Sequence, residues 1–261
     1  MKRCPRSLRF AWLLLGFPLI SLPALTPRQA LEQMQVADGF AVDLVASEPE
    51  IRQPISISFD SRGRMWVIQY LQYPTPAGLK PVSVDAFLRT TYDRLPDPPP
   101  RGPKGADRIT ICDFTHPGPP TFKDFVAGLN LCSGMALGYG GVFVMQPPYL
   151  LFYPDKNRDD LPDGDPEVLL TGFGMEDAHA FANSLTWGPD GWLYGAQGST
   201  VTARVRNLEF QQGIWRYHPI TREFELFSEG GGNTWGLVFD EDGEIIAGTN
   251  FDRPQSQVQG F

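Results

Sequence analysis

Ser184-Leu-Thr-Trp-Gly-Pro-Asp-Gly-Trp-Leu-Tyr194 decides the fold of this chain. Polar and apolar residues alternate up to Trp187, Gly188-Pro-Asp-Gly191 turns the chain, and Leu193-Tyr194 lead away. A type I turn closing on glycine suits such a hairpin, because glycine takes positive φ without strain. The same arrangement stands at three other places. These are Ile55-Ser-Ile-Ser-Phe-Asp-Ser-Arg-Gly-Arg-Met-Trp-Val67, Met135-Ala-Leu-Gly-Tyr-Gly-Gly-Val-Phe-Val144 and Gly236-Leu-Val-Phe-Asp-Glu-Asp-Gly-Glu-Ile-Ile246. The turn glycines read as Gly63, Gly141, Gly191 and Gly243; the last two intervals are 50 (191−141) and 52 (243−191) residues. The first is 78 (141−63) and holds an insertion. A strand-type repeat near 50 residues predicts an all-β chain, a β-propeller.

The segments between copies supply the outer strands. Asp107–Cys112 and Thr121–Ala127 complete a first blade, Tyr149–Tyr153 and Glu167–Leu170 a second, and Gly213–Tyr217 and Glu223–Phe227 a third. The fourth copy brings one hairpin before Phe261, so about three and a half blades of an incomplete propeller are expected over 36–261. Open sheet edges leave backbone groups unpaired, which predicts either the N-terminal part of a longer protein or a truncated gene product. Gly39-Phe-Ala-Val-Asp-Leu-Val45 alternates like an extra strand able to close a ring. The insertion, 73–106, carries Pro96, Pro98, Pro99 and Pro100 and has no strand period. It is read as a surface loop with one helical turn near Val84–Thr90.

Residues 1–25 form a targeting segment. Lys2, Arg3, Arg6 and Arg9 precede the apolar run Phe10–Leu25, which is short for a membrane span. The reading is export, as a cleaved signal peptide or a retained anchor, to a periplasmic or membrane-associated location. The net charge of −8 and the lack of a basic patch argue against a nucleic-acid partner. Cys112 and Cys132 form either a disulfide, which export permits, or two buried free thiols. No C-x-x-C-H motif stands in the chain, so no haem attaches to it covalently.

Three groups could carry chemistry. His179 lies just before the third hairpin, on a connection that reaches the mouth of a propeller channel. An imidazole there can take a proton from a substrate hydroxyl, with Asp177 or Glu176 orienting it; a loop histidine bonded to backbone is the other reading. Asp155, Asn157, Asp159 and Asp163 follow the first, third, fifth and ninth positions of a calcium loop. Glu167 falls one place late and Asp160 replaces the turn glycine, so a calcium site and a solvated acidic turn both stand. In Gly230-Gly-Gly-Asn-Thr-Trp-Gly236, Asn233 offers an amide and Trp235 a stacking face to a flat ligand; a core tryptophan beside a turn is the alternative. Trp66, Trp187, Trp192, Trp215 and Phe239 fall at strand positions where packing between blades would bury them. His116 and His218 carry no partner pattern.

Gly39–Pro49, Gln53-Pro-Ile, Gly63–Val67, Asp107-Arg-Ile, Gly172–His179 and Asn183–Tyr194 followed by Gly198 occur in order. Together they resemble the N-terminal domain of the membrane-bound dehydrogenases of planctomycetes and verrucomicrobia, over about Val36 to Asn250. That domain is similar to the six-bladed soluble quinoprotein glucose and sorbosone dehydrogenases, a TolB-like propeller. The resemblance implies oxidation of a sugar or alcohol, with His179 as base. It also implies pyrroloquinoline quinone (PQQ) as cofactor near Asn233 and Trp235, with calcium nearby. Electrons would pass to a cytochrome c module outside this chain. Gly232 stands where an arginine precedes the asparagine in those enzymes. The alternative is a non-catalytic propeller that binds a glycan or a protein.

Overall fold

The computed structural model describes residues 24–250. The targeting segment, apart from Ala24 and Leu25, lies outside the described residues. The chain divides into two units, 1–47 and 48–261. The described part of the first holds one short helix, α1 (Pro27–Glu32), with Pro27 at its first position. The Thr26 hydroxyl accepts from the Gln29 N–H at 3.3 Å while the Gln29 side-chain Oε1 accepts the Thr26 N–H at 2.9 Å, a reciprocal cap. The Gly39–Val45 segment, expected as a strand, pairs with no strand among the described residues, and Phe40 is exposed. Alternation makes a strand only where a neighbouring edge takes up its backbone bonds.

Among the described residues the second unit is built of antiparallel sheets, none of them closed on itself. The first begins with β1 (Pro54–Phe59) and β2 (Met65–Gln69). The insertion then makes its own hairpin, β3 (Pro81–Val84) and β4 (Thr90–Tyr92), before β5 (Asp107–Asp113) and β6 (Thr121–Leu129) complete the sheet in the order β1-β2-β5-β6. The second sheet runs in sequence through β7 (Gly134–Gly138), β8 (Gly141–Gln146), β9 (Tyr149–Pro154) and β10 (Glu167–Thr171). In the third, β11 (Asn183–Trp187) and β12 (Leu193–Gln197) are followed by a small hairpin, β13 (Ala203–Val205) and β14 (Leu208–Phe210). β15 (Gly213–Tyr217) and β16 (Phe224–Glu229) complete that sheet. β17 (Asn233–Phe239) and β18 (Ile245–Asn250) pair as a final hairpin.

Each four-stranded sheet therefore contains the strands expected of one repeat, in the expected order, and β17–β18 is the expected fourth hairpin. The helical turn expected near Val84–Thr90 is instead the tip of the β3–β4 hairpin. There Asp85 Oδ1 accepts the N–H groups of Phe87 (2.8 Å) and Arg89 (2.9 Å), and Leu88 sits at φ 64°. Val84, Phe87 and Leu88 have helical spacing, but the aspartate offers the backbone a turn. β3 is exposed on both faces, so no burial period could announce it.

The turn reading holds at three copies. Gly63, Gly191 and Gly243 have φ of 79°, 83° and 84°, and each donates its N–H to the residue three before it. The second copy differs. Tyr139 and Gly140 both have positive φ between the paired Gly138 and Gly141, a tighter two-residue turn. Gly141 is thus the first residue of β8, where an added Cβ would lie 2.3 Å from the Tyr153 carbonyl oxygen.

The core lies between neighbouring sheets. Trp66, Ile68, Ile109 and Phe125 of the first meet Met135, Val144 and Leu151 of the second. Phe143, Met145 and Leu150 of the second meet Leu193, Trp215 and Tyr217 of the third. Each fully buried side chain of this kind stabilises by about 1.5–3 kcal/mol. Trp66 and Trp215 are buried as expected, whereas Trp187, Trp192 and Phe239 are half-buried. Trp192 sits in the Gly191 turn, with the Arg216 guanidinium 4.3 Å from its ring centre. Trp187 donates its indole N–H to the Leu137 carbonyl oxygen at 2.8 Å and so ties β11 to β7. The first strands of the four repeats, β1, β7, β11 and β17, line one groove of about 640 Å³.

Cys112 and Cys132 are free and buried. Burial pushes the Cys112 thiol up to about 11 and the Cys132 thiol well above its ordinary value, so both are unreactive at neutral pH.

Antiparallel pairing sorts the connections to two ends. The four hairpin turns and the β9–β10 loop fall at one, here the turn end. The insertion after β2, the β10–β11 loop, the β12–β15 segment and the approach to β17 fall at the other.

Candidate functional site

At the end opposite the turns, the Gly172–Ala182 loop is fixed before its histidine projects. The Ala180 N–H closes a turn onto the Asp177 carbonyl oxygen (3.0 Å), and the Gly198 N–H is donated to the Ala180 carbonyl oxygen (3.0 Å). Ala180, Phe181 and Ala182 are fully buried, while the His179 side chain is 66% exposed. The Trp235 indole N–H is bonded to the His179 carbonyl oxygen at 2.5 Å.

Asp177 stands behind the imidazole. Its Oδ1 accepts the His179 backbone N–H (2.9 Å) and lies 2.8 Å from Nδ1; its Oδ2 accepts the Thr200 hydroxyl (2.6 Å). Burial alone would raise this carboxyl. The hydrogen bonds from Thr200, the His179 N–H and the imidazole outweigh it and hold Asp177 below the ordinary carboxylate value. An ionised carboxylate only accepts, so the proton sits on Nδ1 and Nε2 is left as an acceptor. The Tyr73 hydroxyl fills that role as donor. The Tyr73 ring meets the imidazole edge-on with centroids 5.4 Å apart, and lies 5.5 Å from the ring of buried Tyr70.

Tyr73 comes from the insertion, which is tied into the surrounding structure. Asp107 Oδ1 accepts the Gln72 N–H (2.6 Å) and Oδ2 the Cys132 N–H (2.8 Å). Burial raises Asp107 to about 6 in spite of these bonds. The Asn130 amide brackets Ala77, accepting its N–H (2.9 Å) and donating to its carbonyl oxygen (3.2 Å). The Thr90 N–H is donated to the Glu176 carbonyl oxygen (2.7 Å), and the Tyr149 hydroxyl to the Pro96 carbonyl oxygen (2.5 Å). No motif marks Tyr73. The one available signal is topological: the segment after β2 and the segment before β11 leave from the same end.

Of the other two candidates here, Trp235 is brought to His179 and Asn233 is not presented outward. Asn233 Oδ1 is buried without a protein partner and faces Gly198, where an added Cβ would lie 2.1 Å from it. A cavity of about 510 Å³ adjoins Glu176 and is lined also by Tyr92, Arg94, Phe173, Thr202 and Arg204.

The acidic loop lies at the turn end. Asp155 Oδ1 and Asn157 Oδ1 both accept the Asp159 N–H (3.1 Å each), and Asp163 Oδ2 accepts the Lys156 N–H (2.7 Å). Glu167 points elsewhere, onto Arg222 at 2.7 Å. Among the described residues no group of three or more His, Cys, Asp or Glu side chains is placed to hold a metal ion. The five expected oxygen ligands do not fit a calcium cage as they stand. Asp160, where a calcium loop has glycine, takes Arg64 with both oxygens (2.7 Å each) and Arg62 at 2.8 Å. Arg64 is 7% exposed in its side chain and is bonded also to Asp60 at 2.9 Å. The Arg64 hydrogen bond holds Asp160 below its ordinary value, and Asp160 raises Arg64 in turn. The loop is thus clamped by arginine to the first hairpin.

The sequence profile of a domain of unknown function, DUF7133, matches residues 26–259. No curated protein and no solved structure matches the chain.

Proposed function

The chain belongs to the DUF7133 family, and from that premise we propose that it is part of an exported six-bladed β-propeller carrying a general-base site of the sugar or alcohol dehydrogenase kind. Three four-stranded sheets in repeat order, with the first strands sharing one groove, support the propeller and a count of about three and a half blades. The observation that carries the function is the hydrogen-bond chain Thr200–Asp177–His179, which leaves Nε2 an acceptor at the connection end. Such a base takes the proton of a substrate hydroxyl, and Asp177 stabilises the imidazolium that results; general-base assistance of this kind contributes about 10²–10⁴-fold.

PQQ, the quinone the resemblance implies, would accept hydride when bound, and its carboxylates need cations. Gly232 supplies none, Asn233 faces Gly198, and Arg94 and Arg204 already hold Asp93 (2.8 Å) and Glu209 (2.9 Å). The residues present do not make a seat for it, so no step is drawn through the quinone or through calcium. Onward electron transfer to a cytochrome c module outside this chain rests on the resemblance alone.

A second reading is a non-catalytic glycan- or protein-binding propeller. The partly exposed ring of Tyr73 beside His179 and Trp235 favours it, since aromatic faces bind sugars without turnover. The deciding experiment gives the full-length protein a dye acceptor, added quinone, and a panel of sugars and alcohols. Turnover that His179→Ala abolishes supports the enzyme; carbohydrate binding without turnover, retained in His179→Ala, supports the binding module instead.

A further inference from the structure

We infer that Tyr73, carried by the insertion, is a catalytic residue at the end of this proton chain, its phenol oxygen being the atom offered to a ligand hydroxyl. The inference rests on the general-base reading of His179 and extends it.

Asp177 fixes the proton on Nδ1, so Nε2 has one lone pair, and the Tyr73 hydroxyl already occupies it. A ligand hydroxyl reaches Nε2 directly only if Tyr73 leaves. Its surroundings oppose that. Gln72, the residue before it, donates its N–H to buried Asp107, and the Gln72 side chain bonds the Thr75 carbonyl oxygen (2.8 Å) and the Ala106 N–H (3.0 Å). Asn130 holds Ala77 from the other side, and Tyr70 backs the ring. His179 is held equally firmly through its carbonyl by Trp235. Both partners are fixed, yet Tyr73 is 39% exposed. Its oxygen donates to Nε2 and keeps lone pairs free to accept from a ligand.

The step balances within the site. The ligand O–H bond breaks and its proton passes to the phenol oxygen. The phenol's own proton passes to Nε2, leaving a ligand alkoxide and an imidazolium paired with Asp177. Titratable groups near the pair include Tyr70, behind Tyr73, and half-buried Tyr92, which feels the Asp177 charge.

The test uses the full chain labelled with ¹³Cζ-tyrosine and ¹⁵N-histidine, the two signals being identified by their loss in Tyr73→Phe and His179→Ala. A shared proton predicts that His179→Ala shifts the Tyr73 signal. It also predicts that Tyr73→Phe shifts the His179 Nε2 signal, because the phenol hydrogen bond to that nitrogen is lost. Signals indifferent to each other's loss would overturn the inference. With any substrate from the panel that the wild type turns over, Tyr73→Phe should lower kcat about 100-fold with KM within about threefold. An unchanged or raised kcat would make Tyr73 a displaceable cap and overturn it as well. A wild type inert on the whole panel removes the general-base reading, while the labelling experiment still decides whether the two residues share a proton.

Discussion

The two ends of the sheets both gather carboxylates, and they use them in opposite ways. At the turn end, Asp60 and Asp160 surround Arg64, and the charges neutralise one another inside a clamp between the first two sheets. At the connection end, Asp177 is paired with an exposed histidine and a hydroxyl, so its charge polarises a group that faces solvent. An acidic cluster is structural when its counter-ions are permanent arginines, and chemically useful when its partner can gain and lose a proton.

The largest test of this contrast is Asp160→Ala. Arg64 would remain buried with Asp60 alone, and breaking a buried pair costs about 3 kcal/mol. Urea unfolding should show that loss, and calcium should restore none of it; a loss under about 1 kcal/mol, or a melting temperature raised by calcium, breaks the clamp.

Next comes pH, where two carboxylates pull in opposite directions. Asp160 has a lowered folded value, so its stabilisation is present above about pH 4 and is lost as pH falls through that lowered value. Asp107, at the root of the insertion, is raised from 3.8 to about 6. Its contribution is full below about pH 4 and declines by up to about 3 kcal/mol as pH rises to about 6. Unfolding free energies measured over this range should lose that decline in Asp107→Asn; an unaltered slope would mean that another group titrates.

Gly198→Ala should cost about 2 kcal/mol, because the new methyl group meets Asn233 Oδ1 and Ala180 in a packed corner. A neutral result in thermal unfolding would show that Asn233 swings away freely. Thr200→Val should cost about 1 kcal/mol, one hydrogen bond, and raise the Asp177 titration seen by NMR. Least affected should be Glu167→Gln. Its bond to Arg222 is half-exposed on both sides, and the change should stay within about 0.5 kcal/mol.

The hairpins were legible because each is local: a turn residue and the strands it joins lie within a dozen positions. Their outer strands followed from alternation. The β3–β4 hairpin was not legible, since β3 is exposed on both faces and leaves no period to read. The Gly39–Val45 alternation shows the converse, a pattern without a partner edge. His179 and Asp177 could be picked out because they are two residues apart on a connection the repeat places. Tyr73 is 106 residues from His179, and Arg64 is 96 from Asp160. Contacts of that separation belong to the assembled sheets, and no local spacing encodes them. The calcium-like spacing of the acidic loop is therefore ambiguous until the arginines are seen.

The sorting of connections has a practical corollary for handling the protein. Ser61 and Glu241 sit exposed at the tips of the first and fourth turns, on the face remote from His179. With Cys4 replaced, a cysteine placed at either tip would be the reactive thiol, because Cys112 and Cys132 are buried and held protonated. Coupling through it would immobilise the molecule on a sensor chip in a single orientation, with Tyr73 and His179 turned toward the flowing analyte.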